Sequence, residues 1–68
     1  MQNRIKELRD RMSLTQEQLA ERLRVSRQTV ISLEKGHYNP SIVLAHKIAR
    51  AFGMRIESVF IFNEEDEA

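Results

Sequence analysis

Sixty-eight residues allow one domain around one small core, and a chain of that size leaves a folding margin of only roughly 3–5 kcal/mol. There is no cysteine, which excludes disulfides and Cys-based zinc sites as added support and leaves oligomerisation to supply it; there is also no signal peptide and no apolar run near ~18 residues, so the expectation is a soluble, cytoplasmic chain without a membrane partner. The net charge of +1 hides a partition, because residues 1–56 hold all 11 Lys and Arg while residues 57–68 hold five acids and no base, and a basic body points to a polyanionic partner.

Helical periodicity runs from Ile5 to Phe60. The first helix spans about Asn3 to Met12 and sets Ile5, Leu8 and Met12 on one face. The stretch LTQEQLAERL starts a second helix: Thr15 is its N-cap, Gln18 three residues on completes a capping box, and Leu14 is placed to staple to Leu19. Leu19, Ala20 and Leu23 face inward. Eleven residues later the device recurs, with Ser26 as N-cap and Val25 placed to staple to Val30. About three residues separate the two helices, the spacing of a helix-turn-helix over 15–35, and the small Ala20 lets the helices cross closely.

The third helix buries Val30 and Leu33. Gln28, Ile31, Ser32 and Lys35 then fall at i, i+3, i+4 and i+7, one outward stripe that carries no acid. Gly36 is the left-handed residue that stops this helix, and HYNP is a loop. A fourth helix begins at Ser41, or at Asn39 with Pro40 in its first turn, and ends at Gly53. It is apolar over most of its circumference, through Ile42, Val43, Leu44, Ala45, Ile48, Ala49, Ala51 and Phe52, and is therefore expected at the centre of the core. A fifth helix fits Ile56–Phe60, Phe60-Ile61-Phe62 has the character of a short extended segment, and 63–68 is too acidic and too short to pack.

LTQEQLAERLRVSRQTVISLEKGHYNPS followed by LAHKIARAFGMRIESVF resembles the Cro/phage-repressor, or XRE-type, helix-turn-helix family over about Ile5 to Phe60. The resemblance implies an all-α, compact five-helix lambda-repressor-like DNA-binding domain over 3–62; beside it, 63–68 reads from its composition as an acidic, disordered tail. Within the family the chain is most similar to the short cytolysin-operon repressors, which implies a small C-terminal β-ribbon and a homodimer. Where the family often has Gly between the second and third helices, this chain has Arg24; a positive φ there would cost about 1–2 kcal/mol.

A helix docked in the major groove presents short donors and acceptors and no acids, since phosphates are negative and base edges are read by hydrogen bonds. Arg27, Gln28, Ile31 and Ser32 are the expected base readers: Gln28 suits adenine, Arg27 guanine or a phosphate, Ser32 either, and Ile31 a thymine methyl unless it is peripheral core. Thr15, Gln16, Ser26 and Thr29 at the two helix starts are expected at phosphates, where the helix dipole and free N–H groups favour an anion. In the family a Gln matching Gln16 commonly holds the backbone, whereas Thr15 also reads as a cap alone. Lys35, His37, Tyr38 and Asn39 follow the recognition helix as further phosphate contacts or as an ordinary turn. Arg9, Arg11, Arg22 and Arg24 read as solvated charges.

Phe52, Ile56, Val59, Phe60, Ile61 and Phe62 exceed what so small a core can cover, and are the expected dimer interface. His37 and His46 have no cysteine or carboxylate at ligand spacing, so no metal or other cofactor is expected, and no catalytic set or small-molecule site is legible. The reading is a homodimeric transcriptional regulator, a repressor, on double-stranded operator DNA. Its rivals are the antitoxin of a toxin–antitoxin pair, a protein-interaction scaffold, and, remotely, an enzyme; the acid-free stripe argues against the scaffold.

Overall fold

The structure, a computed structural model, describes residues 1–62, so the expected acidic tail lies outside the described residues. Five helices follow in order: α1 (Ile5–Arg11), α2 (Gln16–Leu23), α3 (Arg27–Glu34), α4 (Ile42–Ala51) and α5 (Ile56–Val59). Helix α2 has the expected extent, whereas the others are a residue or more shorter than their periodicity suggests, because the apolar pattern continues into the caps. The three central starts are capped by side chains. Thr15 and Gln18 form the expected capping box, Ser26 Oγ accepts from the Thr29 N–H at 3.1 Å, and Ser41 Oγ accepts from the Leu44 N–H at 3.1 Å. The last of these makes Ser41, not Asn39, the cap of α4.

The ends of α1 to α4 share one device. A residue with positive φ donates its N–H three residues back, and its successor donates five back, the Schellman arrangement. Gly36 and Gly53 occupy that position after α3 and α4, whereas Ser13 (φ 55°) and Arg24 (φ 59°) occupy it after α1 and α2. At α2 the bonds run from Arg24 to Glu21 at 3.2 Å and from Val25 to Ala20 at 3.0 Å. The tight turn of the helix-turn-helix is therefore a helix terminator carrying a side chain where glycine is unstrained. Ser13→Gly and Arg24→Gly should each stabilise the fold by roughly 0.5–1 kcal/mol, the relief of left-handed strain less the extra entropy glycine loses on folding. Urea unfolding of the two variants measures it, and a destabilisation at either site would contradict it.

The core is a single cluster. Ile5 and Leu8 of α1, Leu19, Ala20 and Leu23 of α2, Val30 and Leu33 of α3, Ala45, Ile48 and Ala49 of α4, and Val59 with Phe60 are all buried. Three expectations are corrected here. Ala45, Ile48 and Ala49 of α4 are buried and Leu44, Ala51 and Phe52 pack half-buried beside them, while Ile42 and Val43 in the first turn are 80% and 61% exposed. Helix α4 is apolar nearly all round, but its neighbours cover one face and leave the first turn open. Val59 and Phe60, expected at an interface between copies, are 0% and 2% exposed within one chain and belong to the core. Met12, expected on the inner face of the first helix, is exposed because α1 stops at Arg11.

Residues 2–4 run antiparallel to 59–61, with the Arg4 N–H donating to Val59 O at 2.8 Å and the Ile61 N–H to Gln2 O at 2.9 Å. This amounts to one isolated bridge, Asn3 to Phe60, and the described residues contain no strand. The chain is all-α; the expected ribbon is not formed beyond that bridge.

Candidate nucleic-acid interface

Helix α3 is seated by Val30 and Leu33, both essentially inaccessible. With those two side chains turned inward, Arg27 and Gln28 are exposed, and Thr29, Ile31 and Ser32 are half-buried along the same outer side. Half-burial of Ile31 leaves part of its side chain available to a methyl group. Lys35, one residue beyond the helix, is exposed. The chain leaves the helix through Gly36 and His37, which close the terminator with N–H bonds of 3.0 Å to Leu33 and Ser32. His37, Tyr38 and Asn39 are all exposed beyond it.

The acid-free character of that outer side has a structural cause. Glu34, the only acid in α3, turns away and meets Arg9 of α1: Arg9 Nε donates to Glu34 Oε2 at 2.7 Å and Nη2 to Oε1 at 3.4 Å. Both side chains are about nine-tenths buried, at 11% and 8% exposure. Arg9 Nη1 also donates to Leu14 O at 2.8 Å, which spends a third donor on the chain entering α2. The hydrogen bond to Glu34 raises the Arg9 pKa above its ordinary value, against the desolvation that burial imposes. Arg9 is therefore not the solvated charge its type suggests. A sequence signal did exist: Arg9 lies four residues after Ile5 and one after Leu8, on the inward face of α1.

Glu34 Oε1 also accepts from Gln16 Nε2 at 3.1 Å. The first residue of α2 is thus tied to the last residue of α3, with one amide N–H and the carbonyl oxygen of the Gln16 side chain without a partner among the described residues. Thr15, Gln16 and Arg27 line one shallow depression with Arg9 and Glu17, so the starts of α2 and α3 are brought together. Thr15 Oγ1 accepts the Gln18 N–H at 3.0 Å as a cap, and its hydroxyl proton has no partner among the described residues. Ser26 and Thr29 share one hydrogen bond between their hydroxyls, 2.9 Å apart, which uses the proton of only one of them. Asn39 Oδ1 accepts from the Met1 amine at 3.3 Å, which ties the loop after α3 to the segment before α1.

Of the six residues expected at a dimer interface, Val59 and Phe60 are internal, Phe52 and Ile56 are half-buried, and Ile61 and Phe62 are exposed at 44% and 46%. An apolar groove of about 300 Å³ joins Pro40, Ile42, Ala45, Ile56 and Phe62. The exposed apolar surface therefore reaches the first turn of α4, where periodicity alone predicts core. No group of three or more His, Cys, Asp or Glu among the described residues could hold a metal ion. No helix there is long and apolar enough to cross a membrane.

Comparison with known proteins agrees with this geometry. The helix-turn-helix family profile matches residues 5–59. An uncharacterized HTH-type transcriptional regulator of Archaeoglobus fulgidus is 56% identical over 66 residues, covering 97% of this chain and 93% of that protein. The immunity repressor protein of Bacillus phage phi105 is 38% identical over 56 residues, covering 82% of this chain and 39% of that protein. The crystal structure of a restriction-modification controller protein from Aeromonas hydrophila superposes with a TM-score of 0.74 at 34% identity, covering 81% of this chain and 83% of that one. The chain belongs to the XRE-type helix-turn-helix family and is a DNA-binding transcriptional regulator, not an enzyme.

Proposed function

We propose that the protein is a cytoplasmic, homodimeric repressor that reads an inverted-repeat operator by laying α3 in the major groove. The observation that carries this reading is the outer side of α3: Arg27, Gln28, Ile31 and Ser32 are accessible there, and the only acid of the helix is withdrawn into an ion pair with Arg9. Gln28 and Arg27 supply base-edge hydrogen bonds, Ile31 a methyl contact and Ser32 a small donor and acceptor. Phosphates are held at the helix ends by Thr15, Gln16, Ser26 and Thr29 on one side and by Lys35, His37, Tyr38 and Asn39 on the other. Ser26 and Thr29 are the weakest of these, since each hydroxyl already has the other as partner. Repression follows from occlusion of a promoter, and the phage immunity repressor among the relatives supports that direction of control.

The two-fold is placed on the groove between α4 and α5. Ile42, Ile56 and Phe62 line that groove, with Ile61 exposed beside Phe62, and contiguous apolar surface of this kind marks an interface. Two recognition helices related by that axis read half-sites about 10 bp, or ~34 Å, apart. Selection of bound duplexes from a random pool should return an inverted repeat with that spacing, and an unpaired half-site would refute the dimeric reader. Ile42→Asp should lower the dimer fraction in sedimentation at tens of micromolar protein and leave the monomer folded, because the side chain is 80% exposed. An unchanged dimer would move the axis elsewhere.

A further inference from the structure

A cluster of four basic side chains lies off the recognition helix. Arg4, Arg9 and Arg11 are ion-paired. Arg22, Arg24, Lys47 and Arg50 have no carboxylate partner among the described residues, and they meet with Ala51 round a single depression of about 500 Å³. All four cations are exposed. Like charges held together in this way repel one another, which costs stability unless an anion is present. Arg24 adds a second, independent cost. It sits at the left-handed terminator of α2, where glycine would be unstrained, so its guanidinium is retained against the conformational preference of its own backbone.

We propose that this cleft binds phosphates of the duplex backbone that flanks each half-site, an extension of the DNA-binding reading and dependent on it. Three of the four cations are arginines, whose planar forks suit phosphate oxygens bidentately. The cleft offers no large apolar side chain to anchor a protein partner, which depends on buried aromatic or aliphatic anchors at an interface. Its position fits as well. An eight-residue helix is about 12 Å long, comparable to the width of the major groove. The loop from Lys35 to Asn39 serves the C-terminal end of α3. At the N-terminal end the Ser26 and Thr29 hydroxyls are engaged with each other, and Arg24 stands two residues before the Ser26 cap. The cleft thus adds positive charge beside the N-terminal end of the recognition helix.

The test compares the full chain with Arg22→Gln/Lys47→Gln and with Lys6→Gln/Arg55→Gln, which removes the same charge outside the cleft. Each is titrated with a ~30 bp duplex carrying the selected operator and with a duplex trimmed to the two half-sites, across a salt series. On the long duplex the cleft variant should lose about two units of salt slope per subunit, which makes a fourfold rise in salt about tenfold less damaging per subunit. Its base preference should be unchanged, and on the trimmed duplex it should match the wild type. Equal slopes for the cleft variant and the wild type on the long duplex would overturn the assignment. A cleft variant no different from the Lys6→Gln/Arg55→Gln control, or equally impaired on both duplexes, would attribute the effect to net charge and overturn it too. Stabilisation of the wild type by micromolar inorganic tripolyphosphate, lost in the cleft variant with duplex slopes unmoved, would replace the backbone by a small phosphorylated ligand. Failure of the underlying reading looks different: a wild-type chain with no preference for any duplex sequence.

Discussion

Arg9→Met should destabilise the protein by about 3–5 kcal/mol, which is the whole margin of a domain this small. The substitution keeps the volume and apolar stem of the side chain and removes the guanidinium. Glu34 is then left as a buried carboxylate with only the Gln16 amide beside it, and Leu14 O loses its Arg9 donor. Breaking one side of a buried pair is costly because the remaining charge stays desolvated, not because the pair itself is worth that much. Arg9→Met/Glu34→Leu should therefore recover much of the loss, since replacing both partners by apolar groups removes the orphaned charge. Urea unfolding at 25 °C checks both variants. A single variant within ~0.5 kcal/mol of wild type would show that the pair behaves as a surface ion pair.

The recovered double variant has a functional use. In the wild type, Glu34 links α1, α2 and α3 through Arg9 and Gln16, so the helix proposed to read bases and the residue proposed to hold the backbone share one carboxylate. The double variant keeps the core and drops this link. Weaker DNA binding in a fully folded double variant would assign the network a positioning role in addition to its structural one.

What the sequence makes legible follows the range of the interactions. The caps at Thr15, Ser26 and Ser41 and the terminators at Gly36 and Gly53 depend on neighbours within a few residues, and each appears where local chemistry puts it. Arg24 was legible as a conditional: its left-handed φ was foreseen as a cost if the turn kept the family's geometry, and it does. Ser13 was not foreseen, because serine carries no signal for a positive φ. The end of α1, and with it Met12, is a local error of the same kind as Ser13; the others are tertiary. Arg9 pairs with a residue 25 positions away, and an isolated arginine is more often solvated than buried. Ile42 and Val43 against Val59 and Phe60 is a question of which apolar side chains the neighbouring elements cover, and composition cannot rank them. The short pairing of residues 2–4 with 59–61 joins the two ends of the domain and covers Phe60, which periodicity within either segment does not encode.

Gln28→Ala and Lys35→Ala should separate base reading from charge attraction at the proposed interface. Gln28 is exposed near the start of α3 and Lys35 is exposed just past its end, so neither substitution disturbs the core. Gln28→Ala removes base-edge hydrogen bonds without changing charge. It should cost about 1–3 kcal/mol on the preferred operator, relax the preference at one base pair per half-site, and hardly move affinity for random DNA. Lys35→Ala removes a phosphate contact. It should weaken operator and random DNA alike and flatten the salt dependence by about one unit per subunit, because a neutralised phosphate releases counterions and a base contact does not. Equilibrium binding across a salt series, with the selected operator and a scrambled duplex, measures all four quantities. If the two variants behaved identically, or if Gln28→Ala left the selected motif unchanged, the outer side of α3 would not be the reading surface. The withdrawal of Glu34 into its ion pair with Arg9 would then be a matter of stability alone.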